Sequence, residues 1–220
     1  MSGNEGPYPC CRKGNQIRPL TDNIPKCLLP VGGRPILGIW FDLCKKYGVT
    51  EVLVNLHHLS HMVEEYIKTN DFRIKIYTFY EPELLGSAGT ILANRDFVKD
   101  ENMFFIIYAD NLTNLNLKKM ADFHTKHRKV LTMGLFRTPE PSRCGIAEMD
   151  EKNIITSFVE KPSNPSSNLA NAGIYVAGNE LFEFIPHKGY VDFCFDVFPA
   201  LTGKMCGYVI EDYIIDIGGS

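Results

Sequence analysis

Two aspartates in this chain stand at the ends of apolar runs that have the length of a strand. Asp110 closes MFFIIYAD at residues 103–110, and Asp216 closes DYIID at residues 212–216. Ligands of open α/β sheets bind beyond the carboxyl ends of strands, and oxygen atoms are the ligands that Mg²⁺ prefers. The two carboxylates could therefore share one Mg²⁺, completed by substrate phosphates and water. On this feature alone, Asp110 could equally be an Asx cap for the segment that follows.

The densest group of unusual residues is RPLTDNIPKCLLPVGGRP, at residues 18–35. It contains four prolines, a Gly-Gly pair and the cations Arg18, Lys26 and Arg34. Prolines hold the backbone on a non-helical path, and a lysine on such a path can act as a point charge towards phosphate. A rigid surface loop with solvated charges is the alternative, but so many specific residues together favour phosphate binding.

Several well-known signatures are missing. The sequence has no P-loop, and LLGSAG at residues 84–89 lacks the spacing of a dinucleotide fingerprint. No Gly-x-Ser-x-Gly elbow of the α/β-hydrolases occurs. His57, His58 and His61 are explained more simply as the solvated start of a helix than as a metal cluster, because no nearby cysteine completes a zinc site.

The elements that must position these residues alternate between helix and strand, because the hydrophobic period changes repeatedly. Helical periods cover residues 34–48, 61–68, 90–98 and 117–127, and strand patterns cover residues 51–56, 72–79, 103–110 and 129–136. This order predicts parallel β-α units with helices on both faces of a sheet. Four further strands are predicted at residues 145–150, 153–160, 172–178 and 208–216, interrupted by short helices at residues 180–185 and 196–203.

Composition excludes several classes of partner. Lys and Arg total 23 against 26 Asp and Glu in 220 residues, so no basic surplus exists for binding nucleic acid or anionic lipid. The apolar runs are too short to span a membrane, and the N-terminus has no apolar core of signal-peptide length. Seven scattered cysteines without metal-ligand spacing favour reduced thiols in the cytoplasm.

Taken together, the motifs resemble those of the sugar-1-phosphate nucleotidyltransferases, also called sugar-nucleotide pyrophosphorylases. Within that family they are most similar to the bacterial branch with mannose-1-phosphate and heptose-1-phosphate guanylyltransferases. The resembling segments follow the family order and are PLTDNIPKCLLPVGGRPIL (19–37), EPELLGSAGTI (81–91), IIYADN (106–111), CGIAEMD (144–150), FVEKP (158–162), NAGIYV (171–176) and IIDIGG (214–219). The resemblance implies one α/β domain over residues 1–220, a three-layer Rossmann-like (GT-A-like) fold with a mixed, mostly parallel central sheet.

The family reaction is attack by the phosphate oxygen of a sugar 1-phosphate on the α-phosphorus of an NTP, with release of pyrophosphate. Catalysis there is positioning and charge neutralisation, without a covalent intermediate. Carried over by motif, Asp110 and Asp216 would hold Mg²⁺ and Lys26 would neutralise phosphate charge. GTP with a manno-configured sugar is the family-level expectation for the substrates, and a homo-oligomer remains open.

The resemblance also implies a set of residues that bind the substrates. Gly14 would belong to the phosphate loop, and Gly86 and Gly89 would lie against the nucleoside. Gly145, Glu160 and Asn171 would hydrogen-bond sugar hydroxyls, and Lys161 would bind the sugar phosphate.

The N-terminal loop departs from the family pattern. The family has approximately Ile-Leu-Ala-Ala-Gly-x-Gly-Thr-Arg where this chain has YPCCRKGNQ at residues 8–16, so Arg12 replaces the first glycine, Gln16 replaces the arginine and Gly14 survives. Codons for residues 8–17 can be chosen so that the next reading phase encodes Ile-Leu-Ala-Ala-Gly-Lys-Gly-Thr-Arg, which is the family motif. We hypothesise that residues up to about 17 are out of frame.

This departure predicts a chemical consequence. Without the glycine loop and its arginine, the triphosphate loses several donors and a bidentate cation, so we expect this chain to be weakly active or inactive. The alternative is a non-catalytic sugar-nucleotide-binding or regulatory subunit of the same family. Family members usually continue into a further helical segment after the position of Asp216, so we also expect a truncated C-terminus.

Overall fold

A computed structural model of the chain describes residues 23–217, except for the side chain of Asp216. Gly14 and the atypical loop at residues 8–17 therefore lie outside the described residues. The strands are β1 (Pro30–Val31), β2 (Arg34–Pro35), β3 (Glu51–Leu56), β4 (Lys75–Tyr80), β5 (Phe104–Ile107), β6 (Asn111–Thr113), β7 (Leu131–Arg137), β8 (Gly145–Met149), β9 (Ile155–Glu160), β10 (Leu169–Ala177), β11 (Met205–Val209) and β12 (Ile214–Asp216).

Most helices lie where the apolar periods predict them. The α-helices are α1 (Ile36–Lys46), α2 (Ser60–Thr69), α3 (Ser87–Ala93), α4 (Leu117–His127) and α5 (Phe198–Leu201). In α1, Ile36, Leu37, Trp40 and Phe41 are buried along one face, and Gly48 follows the helix with a φ of +81°, a conformation that glycine adopts readily. The predicted helix at residues 90–98 is α3 followed by the 3₁₀ turn Arg95–Phe97.

The central sheet of the described residues has six strands in the order β11-β7-β10-β8-β9, with β5 also paired to β10. Its mixed character is confirmed, but its pairings are mainly antiparallel rather than mostly parallel. Strand β10 runs antiparallel to β5, β7 and β8, whereas the parallel pairs of the described residues are β7–β11 and β3–β4. The short turn between β8 and β9 makes that pair antiparallel. The antiparallel neighbours of β10 come from distant parts of the chain, and local periodicity does not encode their direction.

Alternating side chains of β10 place the sheet between two apolar layers. Ile174 and Val176 belong to a core shared with α1 and α4, whereas Tyr175 and Ala177 belong to a core shared with α3, α5 and the π-helical turn Phe193–Val197. Because successive residues of a strand point to opposite faces, both faces of β10 are covered. This arrangement has the three layers expected from the motifs.

The segment at residues 208–216 is two strands, not the single strand predicted. The first part belongs to β11, which begins at Met205 and lies parallel to β7, and the last part is β12, which pairs antiparallel with β6. The exposed residues Glu211 and Asp212 separate the two. The polar interruption is short, so periodicity alone did not reveal that the chain leaves one sheet and joins another strand.

None of the helices of residues 23–217 combines the length and the hydropathy that crossing a bilayer needs.

His124 on α4 gives the fold a pH dependence. Its ring is buried, its Nδ1 lies 2.9 Å from Thr132 Oγ1, and burial lowers its pKa below the usual 6.5 although the charge of Glu180 acts in the opposite direction. Between pH 6.5 and that lower pKa the unfolded chain binds more protons, so the free energy of unfolding decreases as the pH falls.

We expect urea unfolding at pH 7.5 and 5.5 to show this decrease, and the variant His124→Gln to show a smaller one. One proton limits the contribution of His124 to about 1.4 kcal/mol per pH unit. An equal pH dependence in the two proteins would contradict the prediction.

Candidate active site

The backbones of Asp110 and Asp216 are neighbours, although Asp110 lies in the turn between β5 and β6 and not at the end of a strand as predicted; Asp216 ends β12. Strand β12 pairs with β6 so that Asp216 is opposite Asn111, and the amide of Ile217 donates to the carbonyl oxygen of Asp110 at 3.0 Å. Asp110 itself is half-buried. The structure therefore brings together two positions that are far apart in the sequence.

Asn111 ties this corner to the rest of the fold. Its Nδ2 donates to the carbonyl oxygen of Ala172 on β10 at 2.7 Å, and its own carbonyl oxygen accepts from Trp40 Nε1 on α1 at 2.8 Å. Trp40 is the only tryptophan of the chain and is buried. These two bonds hold β6, α1 and β10 together beside Asp110.

Lys26 lies on a short turn beside Cys27, and the charge of Asp110 affects the pKa of the Cys27 thiol. Residues Lys26–Leu28 form a 3₁₀ turn, in which Leu28 N donates to the carbonyl oxygen of Pro25 at 2.8 Å. Burial raises the pKa of Cys27 to about 11, and the negative charge of Asp110 contributes to that increase. Cys27 and Ala109, the neighbours of Lys26 and Asp110, both pack against the apolar cluster that contains Leu37 and Phe41, so the two backbones lie in the same part of the fold.

Arg34, a further cation of this segment, has a different environment. Its Nη2 lies 2.6 Å from Asp42 Oδ2, and both side chains are exposed. This ion pair fits the solvated-surface interpretation for Arg34.

A second cluster forms where β8 begins and β9 ends. The register of the two strands pairs Gly145 with Glu160, and a Cβ on Gly145 would lie only 2.6 Å from Glu160 Oε2. The next residue, Lys161, donates its amide to the carbonyl oxygen of Cys144 at 3.0 Å, and its Nζ lies 3.8 Å from Glu160 Oε1. Only a glycine at position 145 leaves room for the carboxylate in this position.

The environment of Glu160 opposes its ionisation. Burial raises the pKa of Glu160, and the like charge of Asp192 acts in the same direction. The positive charge of Lys161 and a hydrogen bond from the Cys194 side chain lower it. Burial outweighs the two stabilising partners, so the pKa of Glu160 stays above its ordinary value. Removing either partner would raise the pKa further.

Asn171 lies on β10, between the corner at Asp110 and the cluster of Glu160 and Lys161. Its Oδ1 accepts from Gly173 N at 3.0 Å and its Nδ2 donates to the hydroxyl of Tyr175 at 2.8 Å. The register with β7 shifts between Asn171 and Tyr175, and Gly173 has a φ of +65°. Part of the side-chain amide is therefore used within the protein, which leaves one N–H and one acceptor position for other partners.

Gly86 and Gly89 pack against the protein's own backbone. The amides of Ala88 and Gly89 donate to the carbonyl oxygen of Val191 at 3.0 and 3.1 Å, and Val191 N donates to the carbonyl oxygen of Leu85 at 2.8 Å. Gly86 has a φ of +82°, and a Cβ there would collide with the Val191 carbonyl. Gly86 is thus required for packing two distant segments together, whatever ligand lies beside it.

We predict that Gly86→Ala destabilises the fold by about 2–4 kcal/mol, because it combines an unfavourable φ with overpacking. Gly189→Ala is the matched control, since a Cβ at that position would meet nothing within 4 Å. Its effect on the free energy of unfolding, measured by urea titration, should stay within about 0.5 kcal/mol. Equal losses in the two variants would show that Val191 does not impose the glycine at position 86.

A family model described as nucleotidyl transferase matches residues 13–218. The chain belongs to this family. The family expected from the motifs is therefore confirmed.

Known proteins agree with this assignment. Mannose-1-phosphate guanyltransferase of Kluyveromyces lactis is 31% identical over 212 residues, which are 93% of this chain and 58% of that protein. The chain thus spans a little over half the length of the curated relatives it matches.

Two solved structures resemble this chain. HddC of Yersinia pseudotuberculosis, complexed with GMP-PN, has a TM-score of 0.76 at 26% identity and covers 89% of this chain and 85% of its own. A putative glucose-1-phosphate thymidylyltransferase of Bacillus anthracis has a TM-score of 0.82 at 22% identity and covers 94% of this chain and 86% of its own. The second likeness supports the α/β nucleotidyltransferase fold alone.

Two buried carboxylates of this nucleotidyl transferase were not singled out by sequence reasoning. Glu81 accepts hydrogen bonds from Leu85 N and Thr90 Oγ1. Asp192 accepts hydrogen bonds from Ser87 Oγ and Cys194 N. Glu81 opens the quoted motif EPELLGSAGTI, so its position was a usable signal. Asp192 lies in KGYVDFCF, which matches no motif that we recognised.

The three histidines surround the start of α2. His57 Nδ1 lies 2.7 Å from the carbonyl oxygen of Glu81, and His58 and His61 are exposed. Among residues 23–217, with the side chain of Asp216 left aside, no group of three or more His, Cys, Asp or Glu side chains is arranged to hold a metal ion. Magnesium needs fewer protein ligands than this, because it keeps several waters and takes one or two carboxylates with substrate phosphates.

Proposed function

We propose that this nucleotidyl transferase chain transfers a nucleoside monophosphate from an NTP to a sugar 1-phosphate and releases pyrophosphate. We propose GTP and mannose 1-phosphate as the substrates, since matching relatives are mannose-1-phosphate guanyltransferases and HddC is complexed with GMP-PN. The observation that supports the proposal is the pairing of β6 with β12, in which Asp216 lies opposite Asn111 and the amide of Ile217 donates to the carbonyl oxygen of Asp110.

Asp110 and Asp216 are the residues that would hold Mg²⁺. Aspartate oxygens are suitable ligands, and the adjacency of the two backbones allows the carboxylates to serve one ion. Mg²⁺ bound there would neutralise charge on the α-phosphate and its leaving group. Lys26, on its rigid turn, adds a fixed positive charge towards the phosphates.

The cluster around Glu160 would hold the acceptor sugar. Glu160, Asn171 and the backbone at Gly145 would hydrogen-bond sugar hydroxyls, and Lys161 would hold the sugar phosphate. A phosphate oxygen of that group then attacks the α-phosphorus, the bond to the bridging oxygen breaks, and pyrophosphate leaves. The chain's contribution is to hold two anions in line and to offset their repulsion.

The nucleotide would lie along two glycine-containing segments. Gly14 belongs to the loop that would surround the triphosphate, and Gly86 and Gly89 belong to the turn beside the nucleoside. The hydrogen bonds of that turn with Val191 fix its backbone before any ligand binds, which supports a preformed binding surface for the nucleoside.

We place this reaction in the cytoplasm, without nucleic-acid or membrane partners. The five cysteines of the described residues form no disulfide with one another, which supports a reducing compartment; they are Cys27, Cys44, Cys144, Cys194 and Cys206. A homo-oligomer stays a proposal for the assembly.

A pyrophosphate-release assay with Mg²⁺ and a panel of NTPs and sugar 1-phosphates tests the reaction. We expect release to require both substrates and to be fastest with GTP and mannose 1-phosphate. Tight binding of GDP-mannose without turnover, in this chain and in one with the family loop restored, would support the binding subunit instead.

A further inference from the structure

A buried carboxylate that the mechanism above does not use lies between the turn at residues 86–89 and Glu160. Asp192 immediately precedes the π-helical turn Phe193–Val197 and is only 2% exposed. Its Oδ2 accepts from Ser87 Oγ at 3.0 Å, and its Oδ1 accepts from the amide of Cys194 at 2.8 Å. One carboxylate therefore bonds to a distant segment, through Ser87, and caps the start of its own turn, through the amide of Cys194.

On the nucleoside side, the Ser87 hydroxyl forms hydrogen bonds to both Asp192 and Phe193. Ser87 Oγ donates to Asp192 and accepts from the amide of Phe193 at 2.9 Å. Ser87 follows Gly86 directly, and the adjacent amides bind the carbonyl oxygen of Val191. The turn and the segment at residues 191–193 consequently behave as one rigid unit.

The bonds on the sugar side reach Glu160. The amide of Cys194 binds Asp192, and the side chain of Cys194 hydrogen-bonds the Glu160 carboxylate. Cys194 is buried, so this contact is shielded from water.

We propose that Asp192 is a positioning residue that joins the nucleoside-side turn to the sugar-side carboxylate, through Ser87 on one side and Cys194 on the other. The inference rests on the proposed function and adds to it a residue that would touch neither substrate. A buried carboxylate is costly to leave without donors, so losing one partner displaces the segment that carries it. Because Cys194 belongs to that segment, a change at Ser87 moves the donor to Glu160.

The decisive variant is Ser87→Ala, assayed in the full chain by calorimetric titration with GTP and, separately, with mannose 1-phosphate. We expect the Kd of both ligands to rise about tenfold, since small displacements of positioning groups have effects of this size or larger. Ser87→Thr keeps the hydroxyl and should restore both affinities.

Two further variants separate positioning from general stability. Cys194→Ala removes the donor to Glu160 and should weaken mannose 1-phosphate alone. Asp150→Asn is the matched control, because Asp150 Oδ1 also accepts two amides, from Lys152 at 2.9 Å and Ile154 at 2.8 Å, in the turn at the other end of the β8–β9 hairpin. It should change neither Kd by more than about twofold, by the usual standard for a remote substitution.

The outcomes distinguish the inference from the function on which it rests. If neither this chain nor the chain with the family loop restored binds either ligand, the proposed function is overturned and the inference with it. If it binds both, and Ser87→Ala lowers only the melting temperature or weakens only GTP, Asp192 does not join the two sides and the inference alone is overturned. An effect of Asp150→Asn equal to that of Ser87→Ala would overturn it as well.

Discussion

Restoring the family's N-terminal loop is expected to raise the rate of pyrophosphate release by about 10²–10³-fold or more. The glycines of that loop expose backbone amides to a triphosphate, and its arginine supplies a bidentate charge that Gln16 lacks. A single preorganised donor is typically worth about 10²–10³ in rate. The restored variant carries Tyr8→Ile, Pro9→Leu, Cys10→Ala, Cys11→Ala, Arg12→Gly, Asn15→Thr and Gln16→Arg.

The assay compares the restored variant with the unmodified chain and with the single variant Gln16→Arg at equal Mg²⁺ and GTP concentrations. We expect Gln16→Arg alone to recover only part of the rate, because the amide donors of the loop remain absent. An unmodified chain that turns over as fast as the restored one would refute the predicted impairment.

The reading-frame hypothesis has its own test in the gene. Sequencing codons 1–20 shows whether the next reading phase encodes the family loop. Codons that cannot encode it in another phase would end the hypothesis, while leaving the prediction for the restored variant unchanged.

Asp110→Asn, made in the restored variant, is expected to lower kcat by about 10²–10³-fold. The substitution preserves size but removes a charge, and a preorganised charge at the reacting phosphate is worth about this much. The same change should weaken the dependence of the rate on Mg²⁺ concentration, because a neutral amide oxygen is a poorer ligand for a hard cation. Steady-state rates over a Mg²⁺ titration measure both effects.

Asp122→Asn is the control for this substitution. Asp122 lies on the exposed face of α4, where it pairs with Lys118 Nζ at 3.0 Å, and exposed pairs of this kind contribute little. We expect its rate and Mg²⁺ dependence to match those of the parent. Full activity of Asp110→Asn would remove Asp110 from the metal site and with it the central support for the mechanism.

Local patterns predicted the individual elements well. Strand β3 and helices α1, α2 and α4 lie within a few residues of the predicted positions, since their apolar periodicity is strong and uninterrupted. The pairing of strands was predicted less well. The antiparallel neighbours of β10 and the division of residues 208–216 depend on contacts between distant parts of the chain, which periodicity does not encode.

The sequence by itself determined the family, the order of the elements and the residue types that could bind a metal and phosphate, because these are carried by motifs and by local periodicity. The tertiary structure alone decided that β12 joins β6, that Gly86 is required by Val191, and that Asp192 lies between Ser87 and Cys194. Each of these depends on the meeting of segments far apart in the chain. Such meetings follow from packing and hydrogen bonding across the whole domain, and no local pattern records them.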